Sequence, residues 1–453
     1  MSMLKLVVSA IWLFAGFQSC KKLYLDESKG ISVLPPVLEN DSIRVGLNLE
    51  LGGAITYLAS KIDSQNLINN YDWGRQVQMS FYSHPVPYAP NGKQPEPRWA
   101  NIGWNPIQSG DYFGNKSELL EYANDGSEIY IKTVPKHWPL DNEPCNCEFE
   151  SWISLDGNRV KVRARLNNSR VDTNQYPGRH QELPAVYTNA AFHNIVTYTG
   201  TNPFAWDTID TIDNENISGP VQWSYWQSTE KWAATLNDDG WGLGILNNKT
   251  QNYVGGFAGQ KGVSGGTNDA PTAYIAPIRT EILDSDIKYD YDYTLIVGSL
   301  EQIRGYVYDN ADRPTLPDYD FIDDREGWYY QNVKDTGWPI AGQLDITQTT
   351  NNANIVGPSE HWEANSNHNL YIEMALEGTA GTMQAYWRKH GSSTFGASDH
   401  IGFSVINDGE FRTYTVPIGT ASGYAGYMSG IKFVPPGVYM VPNNLKIRKI
   451  YIQ

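Results

Sequence analysis

Cysteine is scarce in this chain: Cys20, Cys145 and Cys147 are the only three in 453 residues. No disulfide framework holds such a fold, and a chain of this length is long enough to bury a core of its own. Cys145 and Cys147 stand two apart, which on a strand puts both thiols on one face, where a bridge is strained, so they read as structural or incidental thiols. Two such ligands without a second pair do not make a metal site. Positive charge is also in short supply. With 34 Lys and Arg against 50 Asp and Glu, the net charge is -16, which argues against nucleic acid, because a phosphate backbone is held by Lys and Arg displacing counterions. A zinc motif, a phosphate loop, a dinucleotide fingerprint and a nucleophile elbow are all missing, so neither nucleotide chemistry nor metal hydrolysis is supported. The sequence calls for no cofactor. Calcium in the C-terminal part stays open, since Asp and Asn are common there for other reasons.

Long apolar runs are absent too, apart from one at the start. Met1 to Lys5 is short and basic, Leu6 to Phe17 is apolar but for Ser9 and small residues, and Gln18-Ser19-Cys20 follows at once. A membrane-spanning helix needs about 20 apolar residues, whereas a shorter apolar region with small residues before a cut marks a secretory signal. A cysteine directly after Ser19 resembles the lipobox of bacterial lipoproteins, with Phe17 and Gln18 where Leu and Ala are usual. The resemblance implies residues 1–20 as signal, Cys20 as the lipid attachment site and 21–39 as a tether. The expected location is outside the inner membrane, anchored to the outer membrane or cell surface. The alternative is an ordinary cleaved signal with an incidental cysteine.

What the sequence has in quantity is aromatic surface: 15 Trp and 29 Tyr, with only 19% charged residues. Ring faces stack on the C–H faces of sugars while Asn, Asp and Arg satisfy hydroxyls; the same rings also fill β-sandwich cores. The mature chain reads as all-β. Ile43 to Leu51, Glu128 to Thr133 and Tyr289 to Val297 are short, β-rich and bounded by turn residues. The clearest element is Glu148 to Leu166, where Asp156-Gly157 predicts a hairpin turn and Val160, Val162, Ala164 and Leu166 alternate with Lys161, Arg163 and Arg165. Trp152 is expected in the core of that pair. Three long stretches, Ser83 to Asp111, Tyr198 to Trp226 and Asn252 to Asp269, are expected to wall a cleft.

Pro314, Pro317 and a run of aspartates mark a joint at 311–325, separating a large sandwich at 40–310 from a smaller one at 326–453. In the latter, Gln384-Ala385-Tyr386-Trp387, Asp408-Gly409-Glu410-Phe411-Arg412-Thr413-Tyr414 and Ile447-Arg448-Lys449-Ile450-Tyr451-Ile452 resemble strands of the jelly-roll modules appended to secreted carbohydrate-active enzymes. The larger part, through Leu51-Gly52-Gly53-Ala54-Ile55-Thr56-Tyr57-Leu58 and Asn69-Asn70-Tyr71-Asp72, resembles the galactose-mutarotase-type supersandwich shared by aldose epimerases, glycoside hydrolases and polysaccharide lyases. No catalytic signature comes with the resemblance, so roles rest on chemistry.

Two polar runs carry that chemistry. Pro177-Gly178-Arg179-His180-Gln181-Glu182-Leu183-Pro184-Ala185-Val186-Tyr187 holds a cation, an imidazole, a carboxylate and a phenol on chain stiffened by proline. Asn69 to Gln78 adds Asp72, Trp73 and Arg75. Glycosidic hydrolysis needs one protonated and one ionised carboxyl group; Glu182 and Asp72 are the expected pair, with Glu150 and Asp111 in reserve. Each has a plainer alternative as a structural ion pair, Arg179 with Glu182 and Arg75 with Asp72. β-Elimination from a uronic acid would instead use Arg179 or Arg75 to neutralise the carboxylate, with His180, His137 or His193 and Tyr187 moving protons. Trp73, Trp104, Trp138, Trp223 and Trp226, with His137, are the expected sugar contacts. The expectation is a polysaccharide-degrading glycoside hydrolase, with a lyase and a non-catalytic glycan-binding lipoprotein as alternatives.

Overall fold

The computed structural model describes residues 24–26, 31–214, 223–261, 263, 265–439 and 441–453; the expected signal segment and Cys20 lie outside them. The chain is all-β, as its alternation predicts, and its strands make two pairs of antiparallel sheets besides a two-stranded one of Tyr24–Asp26 and Ile31–Val33.

The first pair uses the chain up to Ser299. One sheet runs, in order, Ser224–Gln227, Asn252–Ala258, Thr272–Glu281, Arg179–Asn189, Val77–Ser80, Ala54–Ser60, Ile43–Asn48 and Val37–Glu39. The facing sheet has Lys288–Ser299 near its middle, beside Arg159–Asn168 and Trp241–Leu246. Between them lies one continuous apolar core that includes Leu58, Phe81, Phe149, Val162, Ile245, Ile275 and Leu295. Alternation with period two sends these residues inward and their neighbours out. The predicted hairpin is there: Cys147–Asp156 pairs with Arg159–Asn168 from Asp156 opposite Arg159, and Gly157 takes the positive φ (57°) that its tight turn requires. Its cationic face is matched by acids, Lys161 with Asp156, Arg163 with Glu128 and Arg165 with Asp290. Trp152 is not a core residue, contrary to expectation. It alternates outward with those cations, and the guanidinium carbons of Arg163 and Arg165 lie 5.1 and 5.8 Å from its ring.

One α-helix, Leu300–Asn310, closes the first pair; its N-terminus is a capping box in which Ser299 and Gln302 satisfy each other's backbone N–H. Ile303 and Val307 bury against Trp232, Leu236, Leu246 and Ile296.

The second pair of sheets packs around Trp328, Ile346, Ile372, Met374, Trp387, Phe433 and Ile447. Asp318–Tyr319 already pairs with Ile450 and Tyr451 of the last strand, so this sandwich takes in chain from the segment read as a joint. The two sandwiches meet through buried charge. Arg325 bridges Asp284 of the first (2.7 Å) and Asp335 of the second (2.6 Å), and Gln175 bonds both acids.

Cys145 and Cys147 are joined, against the expectation of strained or free thiols. Two residues of extended strand span about 6.6 Å, but Cys145 precedes the strand and Asn146 is a bend, which brings the Cα atoms to 5.1 Å, within disulfide reach.

Candidate active site

The outer face of the sheet around Arg179–Asn189 is the floor of a cleft of about 1680 Å³. What makes that floor is a slip in register. Glu182 pairs with Ser80, yet Ala185 pairs with Gln78, so three steps on one strand match two on its neighbour, and the bulge falls at Leu183-Pro184. Proline has no N–H to give a ladder, and a bulge is where a sheet tolerates it. Five positions apart, Glu182 and Tyr187 would face opposite sides of a regular strand; the extra residue puts both on the cleft.

Glu182 is held by phenols. Tyr82 Oη donates to its Oε2 at 3.0 Å and Tyr274 Oη to its Oε1. Burial raises its pKa above the ordinary carboxylate value, and the hydroxyls of Ser80, Tyr274 and Tyr82 only partly oppose this. Tyr187 stacks on Tyr274 at 4.6 Å between centroids. Burial raises its phenol, and the charges of both Glu182 and Asp72 raise it further, so both carboxyl groups lie in its electrostatic reach. Tyr82, Ser80 and Tyr274 were not singled out from the sequence. Their bonds to Glu182 cross strands, and nothing local to each residue signals them.

Asp72 and Arg75 stand in the wall. Arg75 Nε lies 3.3 Å from Asp72 Oδ2, and Arg75 covers the Tyr71 ring at 4.8 Å. Gln78 fixes this loop by donating to the carbonyls of Trp73 and Arg75. Arg179 does not pair with Glu182. Its Nη1 donates to the carbonyl oxygens of Ser83 (3.2 Å) and Ile102 (2.7 Å), and among the described residues no carboxylate stands within salt-bridge distance of it. Burial lowers the His180 pKa, with Arg179 adding to the effect, and its ring lies 5.9 Å from Tyr225.

Trp73, Trp138 and Trp223 line the cleft as expected. Trp138 packs over Gly74, where a Cβ would meet its ring at 2.9 Å, and it joins Trp99 and Tyr112 in an edge-to-face wall at 6.1 and 5.6 Å. Trp99, Tyr112, Phe113 and Tyr225 also line the cleft, though nothing local to them in the sequence singles them out.

Three expected contacts are elsewhere. Trp104 is 1% exposed within the core. His137 is equally buried, its ring 5.7 Å from Trp104 and 4.7 Å from Tyr88. Trp226 alternates away from the cleft and stacks on Tyr253 at 5.9 Å, leaving Tyr225 as the exposed member of that pair. Nearness to a polar run in sequence does not give exposure; strand phase decides it. Of the reserves, Asp111 lines the cleft but is 1% exposed and accepts from the backbone of Phe113, Asn115 and Asn142, and Glu150 accepts from Tyr130 on the other sheet. His193 pairs with Asp238 at 3.2 Å. Of the long stretches expected as walls, Ser83 to Asp111 supplies Arg98, Trp99, Ile102 and Asn105, whereas Asn252–Ala258 is a strand of the floor. Among the described residues, no group of three His, Cys, Asp or Glu side chains is placed to hold a metal ion, and no helix is long and apolar enough to cross a membrane.

Desolvation pushes the His137 pKa down to about 3 from 6.5. Below 6.5 the unfolded chain takes a proton that the folded chain refuses until about pH 3, so this residue makes stability fall as pH falls through that window. His361, lowered to about 4 chiefly by burial, acts in the same direction. His137→Gln is expected to flatten, in part, the stability-against-pH profile measured by urea denaturation between those limits; an unchanged slope would exclude His137 as a source.

No family model matches the chain, and no curated protein matches it. Solved structures similar to it include a galactose mutarotase-like protein from Lactobacillus casei ATCC 334, 12% identical over 58% of this chain and 99% of that one, with a TM-score of 0.35. Another is a galactose mutarotase related enzyme from Lactobacillus acidophilus, 10% identical over 58% of this chain and 97% of that one, TM-score 0.37. A third is the 4-alpha-glucanotransferase from Thermococcus litoralis, 12% identical over 62% of this chain and 40% of that one, TM-score 0.34.

Proposed function

We propose that the cleft hydrolyses glycosidic bonds of a polysaccharide, with Glu182 as the acid that protonates the leaving oxygen and Asp72 as the ionised partner that activates water or attacks carbon. The observation that carries this reading is the pair of carboxyl groups around Tyr187 in contrasting surroundings. Glu182 is buried among hydroxyls and raised, while Asp72 lies beside a guanidinium. Environments that differ in this way divide two carboxyl groups into an acid and a base. The aromatic wall of Trp99, Tyr112 and Trp138 supplies stacking surface for sugar rings, and Gln78, Asn105 and Arg75 supply polar groups for hydroxyls. Incubating the protein with neutral and acidic polysaccharides, while following reducing ends and the ultraviolet absorbance of unsaturated uronates together, tests the reaction. Reducing ends alone are expected. Both signals rising together would assign β-elimination instead, and silence with retention on a glycan column would assign binding without catalysis.

The same reading places the protein outside the inner membrane on a lipid attached at Cys20, supported by the apolar run and Ser19-Cys20. Cys20→Ser in the full chain is expected to move the protein from the membrane fraction to the soluble fraction of bacterial lysates and to abolish labelling by a fatty-acid analogue. Labelling that survives would exclude this site.

A further inference from the structure

The chain has 50 acidic residues, and many of its cations stand beside one. Arg170 and Lys231, both desolvated, rest on backbone carbonyls, while most buried arginines pair with acids: Arg304 with Glu230, Arg279 with Glu281, and Arg325 with Asp284 and Asp335. Arg179, Arg388 and Lys432 do not. Among the described residues, none of the three has a carboxylate within salt-bridge distance. Arg388 is bonded only to neutral groups, the hydroxyl and carbonyl of Ser429 and the hydroxyl of Ser359. Each is partly withdrawn from water, and each is shifted down first by that desolvation. An uncompensated, half-buried charge costs stability unless something else neutralises it.

Arg388 and Lys432 share one sheet face, and Arg179 lies in the cleft that Tyr329 of the same sheet reaches. In the second sandwich, the strands Tyr329–Gln331, Asn354–Val356, Tyr427–Val434, Gly381–Lys389 and His400–Val405 are neighbours in that order. Their register sets Tyr329 opposite Val356, Val356 opposite Lys432, Lys432 opposite Tyr386 and Tyr386 opposite His400. Directly opposed residues point to the same face, so these five make a row about 19 Å long at one strand spacing per step, in which Val356 is buried and the other four are partly exposed. The intervening residues Tyr330, Ile355, Phe433 and Ala385 fill the core. Arg388, two positions from Tyr386, shares this outer face. The row begins in the cleft, because Tyr329 is one of the cleft-lining residues and abuts Gly178, where a Cβ would stand 3.1 Å from its Cβ. Along it, Tyr386 stacks on His400 at 4.8 Å, Lys432 Nζ lies 4.3 Å from the Tyr386 centroid, and the Arg388 guanidinium lies 5.4 Å from Phe395.

We propose that the glycan taken by the cleft is polyanionic, and that its chain runs from Arg179 past Tyr329 onto this sheet face, with acidic groups on Arg388 and Lys432 and sugar rings on Tyr386 and Phe395. The proposal rests on the glycan reading of the cleft and names its substrate class and the path of its chain. The acidic groups are carboxylates or sulfate esters, which share the charge and the acceptor oxygens that a guanidinium and an ammonium recognise.

Titration calorimetry on the whole protein carrying Glu182→Gln, so that no turnover intervenes, tests it with short and long chains of a polyuronate, of a sulfated galactan, and of their carboxyl-reduced and desulfated forms. At least one acidic chain is expected to bind about tenfold or more tighter than its neutral form, and affinity is expected to rise with chain length. Lys432→Met removes that gain with length and Lys432→Arg keeps it; Arg179→Met removes the preference for the acidic form. Loss of affinity on carboxyl reduction assigns uronates, and loss on desulfation assigns sulfate esters. Equal binding of charged and neutral chains, or affinity independent of length, overturns the proposal. If wild-type protein binds acidic chains in this way but releases no reducing ends, the hydrolase reading fails and this one stands. If it cleaves only neutral glycans, this one fails and the hydrolase stands.

Discussion

Glu182→Gln is expected to lower kcat on the cleaved glycan by about 1000-fold, within the range that a positioned general acid contributes. The substitution is close to isosteric, and its amide oxygen can still accept from one phenol while its NH2 group donates to the other, so the floor built by Tyr82 and Tyr274 is preserved. Binding of a long chain should therefore survive while turnover does not. The pH profile is the second check. Because burial raises the Glu182 carboxyl, its protonated form persists above the usual carboxylate range, and kcat/KM should fall on the alkaline limb as that proton leaves. The residual activity of Glu182→Gln should lack that limb. Activity within tenfold of wild type, or an alkaline limb that persists in the variant, would remove Glu182 from the role of acid.

Arg325→Met should be the most destabilising of the single substitutions considered, by about 3–5 kcal/mol, the cost of stripping one partner from a buried ion cluster. Arg325 and Asp335 have side chains 4% and 0% exposed, and Asp284 is 6% exposed. Methionine fills much of the volume but leaves two buried carboxylates with only Gln175 and Tyr330 as donors from neighbouring side chains. In the native protein burial pushes the Asp335 carboxyl up, but the bond and charge of Arg325 outweigh it and the net shift is downward. Without Arg325 that balance reverses, so the defect, read as the denaturant midpoint of the intact protein, should be largest near neutral pH and shrink as acid protonates the pair. Pairing Arg325→Met with Asp335→Asn should recover part of the loss. A change below about 1 kcal/mol would show that the cluster contributes little to holding the sandwiches together.

The hairpin at Asp156-Gly157 was legible in the sequence because period-two alternation and turn chemistry are local. So was the company kept by Arg179, His180, Glu182 and Tyr187, since eleven residues of stiff chain keep them near one another. What was not legible depends on contacts between strands far apart in sequence. Tyr82 and Tyr274 reach Glu182 across gaps of 100 and 92 residues. The fate of Arg179 turned on the carbonyls of Ser83 and Ile102, and its supposed pairing with Glu182 did not survive. Trp226 and Tyr225 differ by one position, and only the phase of their strand decides which faces the cleft. The spacing of Cys145 and Cys147 implies an extended chain, whereas a bend at Asn146 changes the distance between them.

The slip at Leu183-Pro184 also bears on how this chain is compared with others. It acts as a change of frame: before it His180 and Glu182 look into the cleft, after it Ala185 and Tyr187 do. A sequence aligned to this strand without a gap at that point would match every later position to the wrong side, setting Val186 where Tyr187 belongs. Two proteins could then share this floor and still show almost no agreement along the segment that carries it.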